Sequence, residues 1–261
     1  MRNSILTVGT ILAGTAFGAA AAQAETVAAL VGDATLAHVD TAAGKVVKTV
    51  TVSGISGTIL GIDVRPADGM LYAVVSDGSV VMIDPASGKA TPKSKLDTTL
   101  PSGVMATVDF NPAADRLRII GSDGTNLRAN VDDGKVTKDG SLKFADSDTM
   151  KGKTPKVVAG AYTNSMKGAK ETVLYDIDAA GALLRQAPPN DGILNTVGML
   201  GMSGEGVAFD ILSDGKGGNQ AWAMSGDTLY KVDLATGKGE AAGKIAGVSG
   251  AVRDIAILPP M

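Results

Sequence analysis

The chain reads as all-β, a five-bladed β-propeller, and three observations predict this. A tight-turn motif recurs five times at nearly constant spacing. A strand-rich motif interleaves with it. The two ends of the chain each hold part of one further unit, three strands at the front and one at the back.

Residues 1–24 read as an export signal and stand apart from the fold. Arg2 supplies the positive start, Ile5 to Ala22 is apolar or small without charge, and Ala22-Gln23-Ala24 is an A-x-A cleavage site. The stretch is rich in Ala and Gly, which argues against a retained membrane anchor. Cleavage after Ala24 leaves residues 25–261 as one propeller domain, expected in the periplasm or secreted.

The turn motif places Asp or Asn after an apolar residue and Gly a few positions later. It occurs at Asp40…Gly44, Asp84…Gly88, Asn130…Gly134, Asp178…Gly181 and Asp233…Gly237. Asp or Asn bonds the backbone just ahead of it, and Gly takes the positive φ that reverses the chain. The second motif is a strand followed by a further strand. It occurs as Ile59–Val64 with Met70–Val75, Ala106–Asn111 with Arg116–Ile120, Val157–Tyr162 with Thr172–Tyr175, and Gly206–Ile211 with Gln220–Met224. Each unit thus holds four short strands in about 47 residues, the size of a propeller blade. The front of the mature chain supplies three strands, Val27–Val31, Leu36–Asp40 and Lys45–Val52. The C-terminal strand Ala251–Leu258 pairs with these three, completes the last blade and closes the ring. An open solenoid or a sandwich would not need the split unit.

Composition excludes several chemistries. There is no cysteine, so neither disulfides, thiolate catalysis nor Cys-ligated metal can occur. The single histidine, His38, lies in an alternating strand pattern and reads as a surface or edge-strand residue; one histidine cannot build a multi-histidine metal site. The balance of 24 basic and 27 acidic side chains, without a basic run, argues against nucleic acid as a partner. One Trp, four Tyr and four Phe are few for sugar stacking. No nucleophile-elbow, P-loop, zincin or EF-hand motif is present.

The run Val108-Asp109-Phe110-Asn111-Pro112, then Asp115–Arg118, then Thr125–Arg128, resembles the core of a bacterial family catalogued as domain of unknown function 4394. Ala161–Ser165 and Pro188–Gly198 match it as well. The resemblance covers essentially the whole mature chain. It implies an exported protein with propeller-like repeats and carries over no activity.

Four constellations bear on function. Arg116 and Arg118 share one face of a strand, and Asn126 and Arg128 share a face of the next, near Asp109 and Asn111. That set reads either as an anion site or as an inter-blade Arg–Asp network. Asp63, Asp109 and Asp210 recur at one place in successive units, with Tyr162 at the corresponding place in the third. If those strands line the channel, the aspartates, helped by Asn164, could hold a hard cation such as calcium; otherwise they cap strand ends or pair with Arg65 and Arg253. Asn190 and Asp191, in Pro188–Gly192, and nearby Asn195 are binding candidates on a surface loop or members of a plain reversal. Met199 and Met202 form an M-x-x-M that reads as packing.

These readings lead to a non-catalytic binding or interaction propeller that takes a small ligand, an anion, an ion or a protein. The alternatives are a metal-dependent hydrolase or lactonase-like enzyme using the channel aspartates, and a structural envelope protein.

Overall fold

A computed structural model describes residues 25–259, so the export-signal reading of residues 1–24 lies outside the described residues. The first blade opens with β1 (Thr26–Val31), β2 (Thr35–Asp40) and β3 (Lys45–Thr51). The second is β4 (Ile59–Val64), β5 (Leu71–Val75), β6 (Ser79–Ile83) and β7 (Ala90–Lys95). The third is β8 (Ala106–Asn111), β9 (Arg116–Gly121), β10 (Asn126–Ala129) and β11 (Val136–Lys138). The fourth holds β12 (Lys143–Phe144), β13 (Val157–Tyr162), β14 (Leu174–Asp178), β15 (Ala182–Gln186) and β16 (Ile193–Met199). The fifth is β17 (Val207–Ser213), β18 (Asn219–Ser225), β19 (Thr228–Val232) and β20 (Gly239–Lys244). Finally β21 (Val252–Leu258) returns to the first blade, whose strand order is β21-β1-β2-β3.

The closing pairing is antiparallel, with Thr26 opposite Leu258 and Ala28 opposite Ala256. The chain is therefore a five-bladed propeller latched by its last strand. The innermost strands β21, β4, β8, β13 and β17 stand side by side around the axis.

Each of the five turn motifs forms the hairpin expected of it. The Asp or Asn side chain accepts a backbone N–H: Asp40 from Ala43, Asp84 from Ala86, Asn130 from Asp132, Asp178 from Ala180 and Asp233 from Ala235. The glycine that follows sits at positive φ in all five. At Gly134, where φ is 76°, a Cβ would also strike the Lys95 carbonyl of the preceding blade. Glycine is needed there for packing as well as for the turn.

The core is five wedges, one between each pair of neighbouring blades. Leu30, Ile59, Ile62 and Ile83 fill the first-to-second wedge, and Phe110, Leu117 and Ile119 belong to the second-to-third. A blade covered on both faces needs apolar residues at successive positions. β5, Leu71–Val75, is accordingly buried throughout. The outer strands β3 and β20 are largely exposed. Burial of each large aliphatic side chain stabilises by about 1.5–3 kcal/mol.

The fourth blade departs from the expected four strands. Its fifth, β12, pairs in parallel with β16, Lys143 opposite Ile193 and Phe144 opposite Leu194. The connection from the third blade is long enough to run along this edge, and Leu142 and Phe144 bury themselves in the third-to-fourth wedge.

Candidate channel site

An innermost strand has a partner on one side only. Its other edge, towards the axis, leaves backbone N–H groups without a ladder. In this protein aspartates answer them. Asp63 Oδ2 accepts from Phe110 N at 2.7 Å, Asp109 Oδ1 from Tyr162 N at 2.9 Å, and Asp210 Oδ2 from Ile257 N at 2.7 Å. Asp254 Oδ2 accepts from Ile62 N at 2.8 Å. Every one of these bonds runs from one innermost strand to the next. Asp63, Asp210 and Asp254 also accept the N–H of the residue that follows them.

The three aspartates expected to share a place do so. Asp63, Asp109 and Asp210 are buried, and each offers a carboxylate oxygen within 4.8 Å of the others. Burial pushes the carboxyls of Asp63 and Asp109 well above the usual range, and the neighbouring aspartates push them further. Burial raises Asp210 to about 6, with the Ile257 and Ile211 amides opposing. Among the described residues no Lys or Arg forms an ion pair with any of the three. A cavity of about 220 Å³ opens beside them, lined by Asp63, Asp210, Ser165, Ser213 and Ile257 among others.

Two details differ from the expectation. The amide partners are Phe110, one past Asp109, and Tyr162, one past Ala161, so Ala161 occupies the aspartate position of the fourth blade. Tyr162 turns its ring the other way, and its hydroxyl accepts from Arg118 Nε at 3.1 Å. Nor do Arg65 and Arg253 pair with the triad. Arg65 Nη2 reaches Asp115 at 2.6 Å and Asp132 at 2.9 Å, pinning the second blade to the third. Those bonds hold the Arg65 guanidinium above its ordinary pKa and Asp132 below.

Two of the three arginines, Arg118 and Arg128, meet around a carboxylate that the sequence reading missed. Asp139 accepts from Arg118 Nη1 at 2.6 Å and from Arg128 Nε and Nη2, each at 3.0 Å. Arg118 is buried and also donates to Asn126 Oδ1 and to Asn190 Oδ1, each at 2.8 Å. Burial raises the Asp139 carboxyl, but the two guanidinium groups more than offset it and hold it below the usual range. The Arg–Asp pairs lie within the third blade, and Arg118 reaches the fourth through Tyr162 and Asn190. These bonds engage Arg118 and the Nε–Nη2 edge of Arg128, the edge a carboxylate would use.

The remaining candidates lie apart. Arg116 Nη1 donates to the carbonyls of Asp115 and Ala114, and Asn111 Oδ1 caps the hairpin by accepting from Ala113 N and Ala114 N. Asn164, at φ 56°, exchanges two hydrogen bonds with Asn219 across the fourth and fifth blades. Pro189–Asp191 forms a 3-10 turn ended by Gly192 at φ 68°; Asp191 is exposed, and Asn195 Nδ2 donates to Ala187 O at 3.2 Å. His38 is buried, not at the surface, and burial lowers its pKa.

Two more residues escaped the sequence reading. Asp254 is two positions from the aspartate alignment, so the repeat did not flag it. Asp176, on β14, is fully buried with no hydrogen-bond partner for either carboxylate oxygen. Its carboxylate lies over Gly160, where a Cβ would come within 2.5 Å of Oδ1.

Three solved structures are similar to this chain. A protein of unknown function from Bacteroides thetaiotaomicron aligns with 91% of this chain and 65% of its own, at TM-score 0.52 and 19% identity. At that identity the likeness shows the fold alone. A protein of unknown function from Bacteroides caccae aligns over 91% of this chain and 100% of its own, at TM-score 0.48 and 10% identity. The computationally designed protein Ika8 aligns over 90% of this chain and 63% of its own, at TM-score 0.39 and 14% identity. No curated protein matches the chain. The family profile of DUF4394, a domain of unknown function, matches residues 35–256, and the chain belongs to that family.

Proposed function

We propose that this is an exported, non-catalytic binding propeller that holds a hard divalent cation of the calcium class in its central channel. One observation carries the reading: the buried carboxylate oxygens of Asp63, Asp109 and Asp210 converge within 4.8 Å. Three like charges packed this closely away from water are costly unless a proton or a cation offsets them. Backbone amides fix the carboxylates in place without exhausting them, since each oxygen has two lone pairs. All-oxygen ligation suits calcium, and water entering through the adjoining cavity would complete its shell. Export rests on the leader-like residues 1–24.

The cavity beside Asp63 and Asp210 favours a second reading, a metal-dependent hydrolase acting on a small substrate. Elemental analysis of mature protein purified without tag or chelator tests the first reading. One equivalent of calcium, lost to EDTA with a fall in melting temperature, is expected; no metal and no EDTA effect would overturn it. Turnover of lactone or ester substrates that disappears in Asp109→Asn would favour the hydrolase.

A further inference from the structure

The opposite mouth of the channel holds a cavity of about 380 Å³. Its wall is mainly apolar, with Leu60, Met105, Val158, Val207 and Val252 around it, and Arg253 reaches in. That volume falls within the range of small-molecule sites, about 300–1,000 Å³. The wall comes from the starts of all five innermost strands, with Met105 just before β8, so it is rigidly mounted.

Arg253 is the polar feature that gives the cavity a preference. Its Nη1 donates to Gly32 O at 3.1 Å and to Ile59 O at 3.0 Å, which fixes the guanidinium across the first and second blades. Among the described residues its Nε and Nη2 donate to nothing. These two atoms form the parallel two-donor edge that matches a carboxylate. Two acids lie near it: Asp33, highly exposed, with an oxygen 3.8 Å from Nη1, and the buried Asp254, whose oxygens accept the Ile62 and Ile255 amides. The other two charges at the mouth, Lys156 and Glu205, pair with each other at 3.4 Å.

We propose that this mouth binds a small organic carboxylate with an apolar body, its carboxylate on the Nε–Nη2 edge of Arg253 and its body against Leu60, Val158 and Val207. The site is separate from the aspartate triad and does not depend on a cation there. Met105, half-exposed and unbranched, closes over the apolar body.

Calorimetric titration of the mature protein with octanoate, octan-1-ol and octylamine tests this. Octanoate is expected to bind at one site, and the alcohol and the amine at least about tenfold more weakly, the equivalent of one charge-assisted pair. Arg253→Gln is expected to remove that preference. Because Arg253 also ties two blades, a second variant protects the test: Met105→Glu leaves those bonds alone and sets a negative charge at the mouth. It is expected to weaken octanoate severalfold more than octan-1-ol, which loses only the apolar Met105 contact. Equal affinity for octanoate and octan-1-ol, indifference of octanoate to Met105→Glu, or no heat from any of the three ligands would overturn the proposal.

Discussion

Asp63 and Phe110 join the second blade to the third through one 2.7 Å hydrogen bond from the Phe110 amide to the Asp63 carboxylate, both buried. Asp109, Asp210 and Asp254 repeat the arrangement around the ring. The carboxylate therefore has two separable duties, as an acceptor for a neighbouring strand and as a charge facing the axis.

Asparagine separates them. Asp63→Asn keeps one oxygen for Phe110 but sets its NH2 against the Val64 N–H, and it removes a charge from the crowded triad, so it should lose cation affinity while costing less stability than alanine. Asp63→Ala strands the Phe110 amide and should cost about 1–3 kcal/mol. Urea denaturation of the two variants checks this. Equal loss in both would refute the acceptor role.

The Arg118–Asp139 pair should behave as a buried ion pair, with side chains 3% and 5% exposed. Asp139→Ala leaves the Arg118 guanidinium without its carboxylate and should cost about 3–5 kcal/mol. Arg116→Ala, whose bonds are to local carbonyls near the surface, should fall within about 0.5 kcal/mol of the parent. Chemical denaturation of both distinguishes this network from a set of three equivalent surface arginines.

Asp176 predicts a pH dependence. Burial pushes its carboxyl up to about 8, against an ordinary carboxylate value near 4 in the unfolded chain. The folded state then holds a proton that the unfolded state releases. Stability from this group is fully present below about pH 4 and is lost progressively up to about pH 8, on the order of 1 kcal/mol per pH unit. Asp176→Asn removes the titration. The stability difference between parent and variant, measured in urea at pH 5 and at pH 8, should shift in favour of the variant at pH 8. A constant difference would contradict the assignment.

Much of this was legible in the sequence because the repeat forces it. The five Asp/Asn–Gly hairpins, the split first blade and the convergence of Asp63, Asp109 and Asp210 all follow from placing equivalent residues at equivalent positions around one axis. What the repeat hides is whatever breaks it. Asp254 stands two residues out of alignment with the triad, so it reached the channel wall unannounced. Asp139 lies in Lys138-Asp139-Gly140, which reads as a solvent turn, and only tertiary packing carries it under Arg118 and Arg128. Asp176 sits in the middle of Leu174–Asp178, and the bare backbone of Gly160 that accommodates it belongs to another strand. Arg253 was expected to pair with a channel aspartate, whereas it donates to two carbonyls and its ion-pair partner is the exposed Asp33.

The central claim is that the three channel aspartates hold a divalent cation, and calorimetric titration of calcium into chelator-treated mature protein tests it most directly. The account predicts one site per chain with an affinity of about 10⁻⁶ M or tighter, which retention through purification requires, abolished in Asp109→Asn. No saturable heat up to several times that concentration, or undiminished binding in Asp109→Asn, would contradict it.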